Sequence, residues 1–136
     1  MRQSEMMIGN AVLVQGKPYK IKQIAKRRVG YCPMKSPNLE YAKVADLEPI
    51  KITEEFLHNN GFDPYYDDLC ECNGYIREID GFNVDIQFGN ANMGDDYVVC
   101  HIDTDDRRTA ANADIKYVHQ MQNLLSIMNI KWEVHV

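Results

Sequence analysis

The chain has 136 residues, with 15 lysines and arginines against 20 aspartates and glutamates, and 45% of its residues are hydrophobic. This length suits one compact domain or two very small ones with a modest core. No run approaches the roughly 18 apolar residues of a membrane span. No signal peptide is visible, and the composition is not that of a disordered chain. We therefore expect a soluble, cytoplasmic globular protein without a membrane segment.

The first 50 residues predict short strands separated by turn signals. Tyr19-Lys20-Ile21-Lys22 alternates between apolar and basic residues, which is typical of a half-buried strand. Pro33 and Pro37 confine residues 34–38 to a loop, because proline cannot donate to a strand ladder. The predicted elements are strands at 11–14, 19–24, 29–32 and 39–44, a tight turn at 45–47 and a short strand at 48–50. This layout indicates an SH3-like barrel over residues 1–50.

The next segment predicts a short helix over residues 54–60. Thr53 is a good N-cap residue, and Glu54 and Glu55 place negative charge in the first turn. Gly61 suits the left-handed position that ends a helix, and Phe62 can fold back onto the helix after it.

The rest of the chain predicts a small antiparallel sheet followed by a helix. Asp80-Gly81 separates two apolar runs and favours a type I′ hairpin between strands at 75–79 and 82–88. The other predictions are a strand at 97–102, an irregular tract at 103–112, a long helix at 114–128 and a terminal strand carrying Trp132, Val134 and Val136. The fold class is therefore α+β. We expect an N-terminal SH3-like β-barrel (1–50) and a small antiparallel sheet with two helices (51–136), packed together as one body.

The net charge of −5 hides a sharp asymmetry along the chain. Residues 1–39 hold eight basic and one acidic residue, a net of +7, whereas residues 40–136 hold seven basic and nineteen acidic residues, a net of −12. One interpretation is that the basic block meets nucleic acid or an acidic protein. The other is that lysine-rich strand faces protect edge strands from aggregation.

Tyrosines are interspersed among these basic residues. Tyr19, Tyr31 and Tyr41 suit a surface that stacks on bases and contacts phosphates, or a groove for an extended peptide. They equally suit ordinary strand residues packed at the rim of the barrel. The candidate binding residues are Lys17, Lys20, Lys22, Lys26, Arg27, Arg28, Lys35, Tyr31 and Tyr41.

The sequence predicts neither a metal site nor a cofactor. Cys70, Cys72, Cys100 and His101 lack the usual Cys-x2-4-Cys spacing of structural zinc, and adjacent strand residues such as Cys100 and His101 face opposite ways. Four reduced thiols, with Cys32 and Cys100 in the core, are the simpler interpretation. The acidic runs 95–96 and 103–106 lack the calcium-loop register and are interpreted as solvated loop charge.

No arrangement of nucleophile and base stands out, so we expect a protein that is not an enzyme. His119 falls on the predicted polar side of the long helix, which favours a surface histidine or a helix-to-sheet hydrogen bond. An enzymatic alternative requires His119, His101 and Asp103 to converge in one pocket. Glycine-rich phosphate loops are absent.

Three segments carry a resemblance to a family. These are Met7-Ile8-Gly9-Asn10, Pro49-Ile50-Lys51-Ile52-Thr53-Glu54-Glu55, and Ala113 to Leu124 with its Tyr-Val-His-Gln-Met-Gln-Asn-Leu run. The chain resembles small uncharacterised bacterial proteins of gut anaerobes, often encoded near phage-like or conjugative elements. Ile52 and Met121 replace the usual leucines of that group, and residues 65–106 depart freely from it. The resemblance implies a shared layout and no particular activity.

Two functional hypotheses follow from the charge pattern. The leading one is a non-enzymatic binding or adaptor protein that engages nucleic acid or a partner protein through its basic block. The alternative is a structural or self-associating protein whose basic barrel docks on the acidic C-terminal part.

Overall fold

The computed structural model describes residues 1–25, 28–33, 40–89, 98–104, 106 and 108–136. Within these ranges the chain forms ten strands in two five-stranded antiparallel sheets and two α-helices. The chain divides into two compact units. The first unit contains residues 1–51, 117–124 and 136, and the second unit contains residues 52–116 and 125–135. Helix α2 (Val118–Ile127) begins in the first unit and ends in the second.

The first sheet is built from short strands with one apolar face. Its strands are β1 (Ala11–Val14), β2 (Lys17–Ile24), β3 (Arg28–Pro33), β4 (Glu40–Lys43) and β5 (Leu47–Pro49), in the order β4-β3-β2-β1-β5. Alternating residues supply its core, which includes Val12, Val14, Ile21, Val29, Tyr31 and Leu47. Tyr19 and Tyr31 meet edge to face on this side, with ring centroids 4.7 Å apart.

The predicted SH3-like barrel is wrong, although the α+β class is confirmed. The succession of strands along the chain was predicted, and so was a tight turn before the last short strand, which the structure forms as the 3-10 turn Val44–Asp46 before β5. However, β4 and β5 lie at opposite edges of the sheet, and no pairing joins them among the described residues. Closure of a barrel requires hydrogen bonds between the two edges together with a matching tilt and stagger of the strands. A pattern of strand lengths and turns carries no information on that pairing.

The second sheet is a simple meander. Its strands are β6 (Asp63–Asp67), β7 (Cys72–Ile79), β8 (Phe82–Phe88), β9 (Val98–Asp103) and β10 (Thr109–Asp114), in the order β10-β9-β8-β7-β6. The hairpin prediction is confirmed, because Asp80 and Gly81 have φ values of 53° and 82°, as a type I′ turn requires. Val84 and Ile86 point into the core and are fully buried.

Both edge strands of this sheet differ from the sequence predictions. The sequence analysis did not predict β6, which contains Pro64. Proline cannot donate a hydrogen bond within a sheet, but β6 is an edge strand, where proline is tolerated. The irregular tract predicted at 103–112 is wrong for residues 109–112, which belong to β10. Alanine and asparagine have low strand propensity, and pairing with β9 overrides it here.

Helix α1 (Glu54–Asn59) confirms the predicted helix and its end signals. Thr53 Oγ1 accepts a hydrogen bond from the Phe56 N–H at 3.1 Å, and Gly61 adopts a φ of 75°. Helix α2 begins at Val118 rather than at 114, because the chain is still extended at Asp114, the last residue of β10. No described helix is long and apolar enough to cross a membrane.

The predicted terminal strand is wrong, since residues 131–136 have no regular secondary structure. Trp132 instead packs edge-on against Phe56 and Phe62, at centroid distances of 6.3 and 6.4 Å. The side chain of Asn60 forms hydrogen bonds with both backbone polar groups of His135. The alternation of apolar residues therefore reflects packing without a strand partner.

Candidate functional site

The charge asymmetry coincides with the division into two units. The first unit contains ten basic and four acidic residues by sequence, a net of +6, and the second contains five and sixteen, a net of −11. A contrast of this size gives the first unit a positive field of its own.

Strand register places three cations and a tyrosine on the outer face of β2–β4. Arg28 lies opposite Lys43, and Gly30 lies opposite both Tyr41 in β4 and Gln23 in β2. Since alternate residues of a strand share a face, Arg28, Lys43, Tyr41 and Gln23 lie on the side opposite the core. Lys20 joins them, because it lies opposite Cys32, two positions after Gly30. We call these five side chains (Lys20, Gln23, Arg28, Tyr41 and Lys43) the basic face.

Two cations of the basic face lie directly opposite each other. Arg28 and Lys43 are cross-strand partners with exposed side chains, and neither forms an ion pair with a described residue. Like charges at such positions destabilise a sheet. An anion bound between them would remove that repulsion.

Tyr41 spans the strand next to it. Its hydroxyl donates a hydrogen bond to Gln23 Oε1 at 3.2 Å, and β3 runs between these two residues with Gly30 in the same cross-strand row. The ring therefore crosses the sheet above Gly30, which is buried and has no side chain to obstruct it. Tyr41 is 55% exposed, so the ring is available to a ligand.

The structure redistributes the predicted binding residues. Lys17 and Lys22 are exposed, but neither belongs to the basic face. Lys17 lies on the same side of β2 as the core residues Tyr19 and Ile21, and Lys22 lies in the β-bulge between Ile21 and Gln23. Tyr31 is buried in the core, so its predicted place on a binding surface is corrected; burial, aided by a hydrogen bond with Glu40, raises its pKa. Lys26, Arg27 and Lys35 lie outside the described residues. Gln23 and Lys43 were missed, although the spacing of Tyr41 and Lys43 indicates a shared face.

The cysteines divide into two pairs. Cys32 and Cys100 are free and buried, as predicted, and burial raises the pKa of the Cys100 thiol to about 12. His101 is partly exposed, so it faces away from Cys100, which confirms the expected alternation. Cys70 and Cys72 form a disulfide, so the prediction of four reduced thiols is wrong. Of the predicted acidic runs, Asp95, Asp96 and Asp105 lie outside the described residues.

A polar network lies on the outer face of the second sheet. The Tyr65 hydroxyl lies 2.6 and 2.7 Å from the two Asp85 carboxylate oxygens and accepts a hydrogen bond from Gln87 Nε2 at 2.9 Å. Burial raises the pKa of Asp85, while the Tyr65 hydroxyl and His101, its cross-strand partner, oppose that rise. His101 and Asp103 are both on β9 of the second unit, whereas His119 belongs to the first.

His119 is fully buried, which contradicts the predicted surface position. Its ring stacks on Tyr117 at a centroid distance of 5.8 Å, and neither ring nitrogen has a hydrogen-bond partner among the described residues. Burial lowers the pKa of His119, and the Glu5 carboxylate, 4.0 Å from Nε2, opposes this less strongly. The imidazole therefore takes up a proton at a lower pH in the folded protein than in the unfolded chain.

Replacing His119 with glutamine is expected to reduce the loss of stability in acid. An unfolded histidine has a pKa near 6.5, and the folded pKa lies below it. As the pH falls between these values, the unfolded state takes up a proton that the folded state does not, and the free energy of unfolding drops by up to about 1.4 kcal/mol per pH unit. Urea denaturation of both proteins over a pH series measures this. Parallel stability curves for wild type and variant would contradict the assignment.

Comparisons with protein-family models, with curated proteins and with solved structures find no match.

Proposed function

We propose that this protein is a non-enzymatic binding protein whose basic face binds single-stranded nucleic acid. The supporting observation is the Tyr41 ring, which crosses the sheet above Gly30 beside Arg28 and Lys43. Proteins that bind single strands combine aromatic rings, on which bases stack, with cations that contact the phosphates. The proposal includes a cytoplasmic location and kinship with the bacterial proteins encoded near mobile elements.

The arrangement favours a nucleic acid over an acidic peptide. Neighbouring strands lie about 5 Å apart, so the Arg28–Lys43 pair concentrates two positive charges beside a solvent-facing aromatic ring. A peptide carboxylate uses only the charges, whereas a nucleotide uses the charges and the ring. Because the whole chain carries −5, we expect binding that depends on contact with the first unit and weakens strongly as salt is added.

The expected result is that Tyr41→Ala weakens binding of a fluorescent oligothymidylate by roughly 5- to 150-fold, because stacking on one base contributes about 1–3 kcal/mol. Tyr41→Phe keeps the ring and should bind nearly as well as the wild type. Fluorescence anisotropy over a salt series gives the dissociation constants. Arg28→Ala and Lys43→Ala should each reduce the slope of log affinity against log salt by about 0.7.

Tyr66→Ala is the matched control. Tyr66 also lies on an edge strand and is 59% exposed, against 55% for Tyr41, but it belongs to the acidic second unit. Absence of binding at low salt, or equal effects of the two alanine variants, would contradict the proposal. If the protein binds a polyglutamate peptide and does not bind the oligonucleotide, the proposal is contradicted and the partner of the basic face is an acidic protein.

The opposite charges of the two units favour self-association as a second candidate function, with the first unit of one copy bound to the second unit of another. A unit of +6 in one copy of the chain is complementary to a unit of −11 in another. Self-association of this kind should weaken as salt is added. Sedimentation velocity across ionic strength tests it, and a monomer at every salt concentration excludes it.

A further inference from the structure

The turn between β6 and β7 brings two sulfurs and a carboxylate together. Asp67 ends β6, Cys72 begins β7, and these two residues are cross-strand partners. Cys70 precedes Cys72 by two positions, and the two are joined as a disulfide. One carboxylate oxygen of Asp67 and both sulfur atoms lie within 4.8 Å of one another. We call residues 67–72 the acidic turn.

The backbone of the acidic turn fixes this arrangement. Asp67 Oδ1 accepts a hydrogen bond from the Leu69 N–H at 2.9 Å, which folds the chain back over the end of β6. Glu71 adopts a φ of 51°, and the Cα atoms of Cys70 and Cys72 are 5.4 Å apart. Cys72 is buried and Cys70 is partly exposed, while Leu69 is 98% exposed. The cluster therefore lies at the surface, with one side open to solvent.

The charge of the acidic turn favours a cation over thiol–disulfide exchange. Asp67, Asp68 and Glu71 are its three carboxylates, and the turn contains no lysine or arginine. Reactive thiolates occur beside positive charge, which lowers their pKa. Carboxylates have the opposite effect on a thiol, and they attract a divalent cation. A bound cation in turn stabilises the thiolates that coordinate it.

We propose that the acidic turn, once its disulfide is reduced, is a zinc site formed by Cys70, Cys72 and Asp67. Zn²⁺ is a borderline-soft ion that binds both cysteine thiolates and aspartate carboxylates, so two thiolates and one carboxylate suit it. Zn–S bonds of about 2.3 Å in a tetrahedron place two sulfurs roughly 3.8 Å apart, within the span of the cluster. The open side leaves the fourth position to water. This set differs from the four residues considered in the sequence analysis. Cys100 is buried in β9, and the third ligand is Asp67, which lies beside Cys70 and Cys72.

A phosphine can reduce the Cys70–Cys72 disulfide so that zinc can bind. The phosphorus gives two electrons to the disulfide and gains the oxygen of one water molecule, while the two sulfurs take up that water's two protons. Zinc then displaces both thiol protons, and two Zn–S bonds and one Zn–O bond form. A reducing compartment would keep the pair available for the metal.

The test is a zinc titration of the full chain after phosphine reduction, in competition with a chromogenic chelator. We expect one zinc ion per reduced chain and none at this site while the disulfide is intact. Co²⁺ in place of zinc should show thiolate-to-metal charge-transfer absorption. Cys70→Ser and Asp67→Asn should each weaken zinc binding by at least about tenfold, because even second-shell partners of metal ligands contribute 10- to 100-fold.

Asp68→Asn is the matched control, since it removes the same charge from the neighbouring exposed residue, which supplies no ligand atom, and it should weaken zinc binding much less than Asp67→Asn does. Circular dichroism checks the fold of each variant; if Cys70→Ser unfolds, the comparison of Asp67→Asn with Asp68→Asn decides. Failure of the reduced chain to bind zinc overturns the proposal. Equal affinities of Asp67→Asn and Asp68→Asn remove Asp67 from the site and overturn it as well.

Discussion

Replacing Gly74 with alanine is expected to lower the free energy of unfolding by about 2–5 kcal/mol. A Cβ atom at this position would overlap ring carbons and the hydroxyl of Tyr65. Overpacking of this kind costs about 1–3 kcal/mol, and each hydrogen bond lost as the ring moves adds about 1 kcal/mol. The backbone of Gly74 is ordinary extended strand, so the steric overlap is the cause of the expected loss.

The Tyr65 ring has little room to yield. Tyr65 lies in the edge strand directly opposite Gly74, and its hydroxyl reaches past β7 to Asp85 and Gln87 on β8. The ring is therefore attached by its backbone on one side of Gly74 and by its hydroxyl on the other. A methyl group beneath it must either break the hydroxyl contacts or displace strand β6.

Urea denaturation of Gly74→Ala, Tyr65→Ala and the double variant measures this coupling. If the ring is the obstacle, Gly74→Ala should cost far less in the Tyr65→Ala background than in the wild type. An equal cost in both backgrounds would show that the alanine acts on something other than the ring.

The first sheet repeats this arrangement with different surroundings. In each sheet a tyrosine of an edge strand crosses a glycine of the second strand and meets a glutamine of the third: Tyr41, Gly30 and Gln23, or Tyr65, Gly74 and Gln87. Tyr65 also binds the Asp85 carboxylate, whereas Tyr41 lies beside Arg28 and Lys43. The geometry is shared, and only the first copy is suited to a polyanion.

The elements that the sequence predicted are those with local signals. The Asp80-Gly81 hairpin and helix α1 each depend on residues within one turn, and both are confirmed. The barrel, strand β10 and the terminal strand depend on which distant segments pair. Strand β10 forms because β9 offers an edge. Residues 131–136 form no strand, and the backbone N–H and C=O of His135 bind the Asn60 side chain instead.

The basic face was only partly predictable for a related reason. The bulge between Ile21 and Gln23 places Lys20 and Gln23 on one face although they are three residues apart, which strict alternation excludes. Tyr31 lies two residues after the apolar Val29, so strand alternation places both on the core side. The burial of Tyr31 could therefore have been predicted from the sequence. His119 could not be placed, because the predicted helix began four residues too early and its polar side was misjudged.

Replacing Asn60 with alanine is expected to lower the free energy of unfolding by about 2–4 kcal/mol. The buried amide makes three hydrogen bonds: Nδ2 donates to the carbonyl oxygens of Phe56 and His135, and Oδ1 accepts from the His135 N–H, at 2.8–2.9 Å. Each contributes about 1 kcal/mol net, and more where a partner is left buried and unpaired. The C-terminal segment would lose its attachment to the end of α1.

The single tryptophan of the chain reports this release directly. Trp132 packs on Phe56 and Phe62 three residues before His135, so detachment should shift its fluorescence to longer wavelength at low denaturant, before global unfolding. Asn59→Ala is the matched control, because Asn59 is the neighbouring asparagine and is exposed. Similar losses in the two variants would remove the anchoring role from Asn60.

Asn60→Asp separates hydrogen bonding from shape. Aspartate fills the same space and keeps the oxygen that accepts from the His135 N–H, but it turns a second oxygen toward the carbonyls of Phe56 and His135. Two donated bonds become repulsive contacts with a buried carboxylate. We therefore expect this variant to be less stable than Asn60→Ala near neutral pH and to recover as the pH falls and the carboxyl group is protonated, because a protonated oxygen can donate again. An aspartate variant as stable as the wild type near neutral pH would mean that the amide's donated bonds contribute nothing to holding the C-terminal segment.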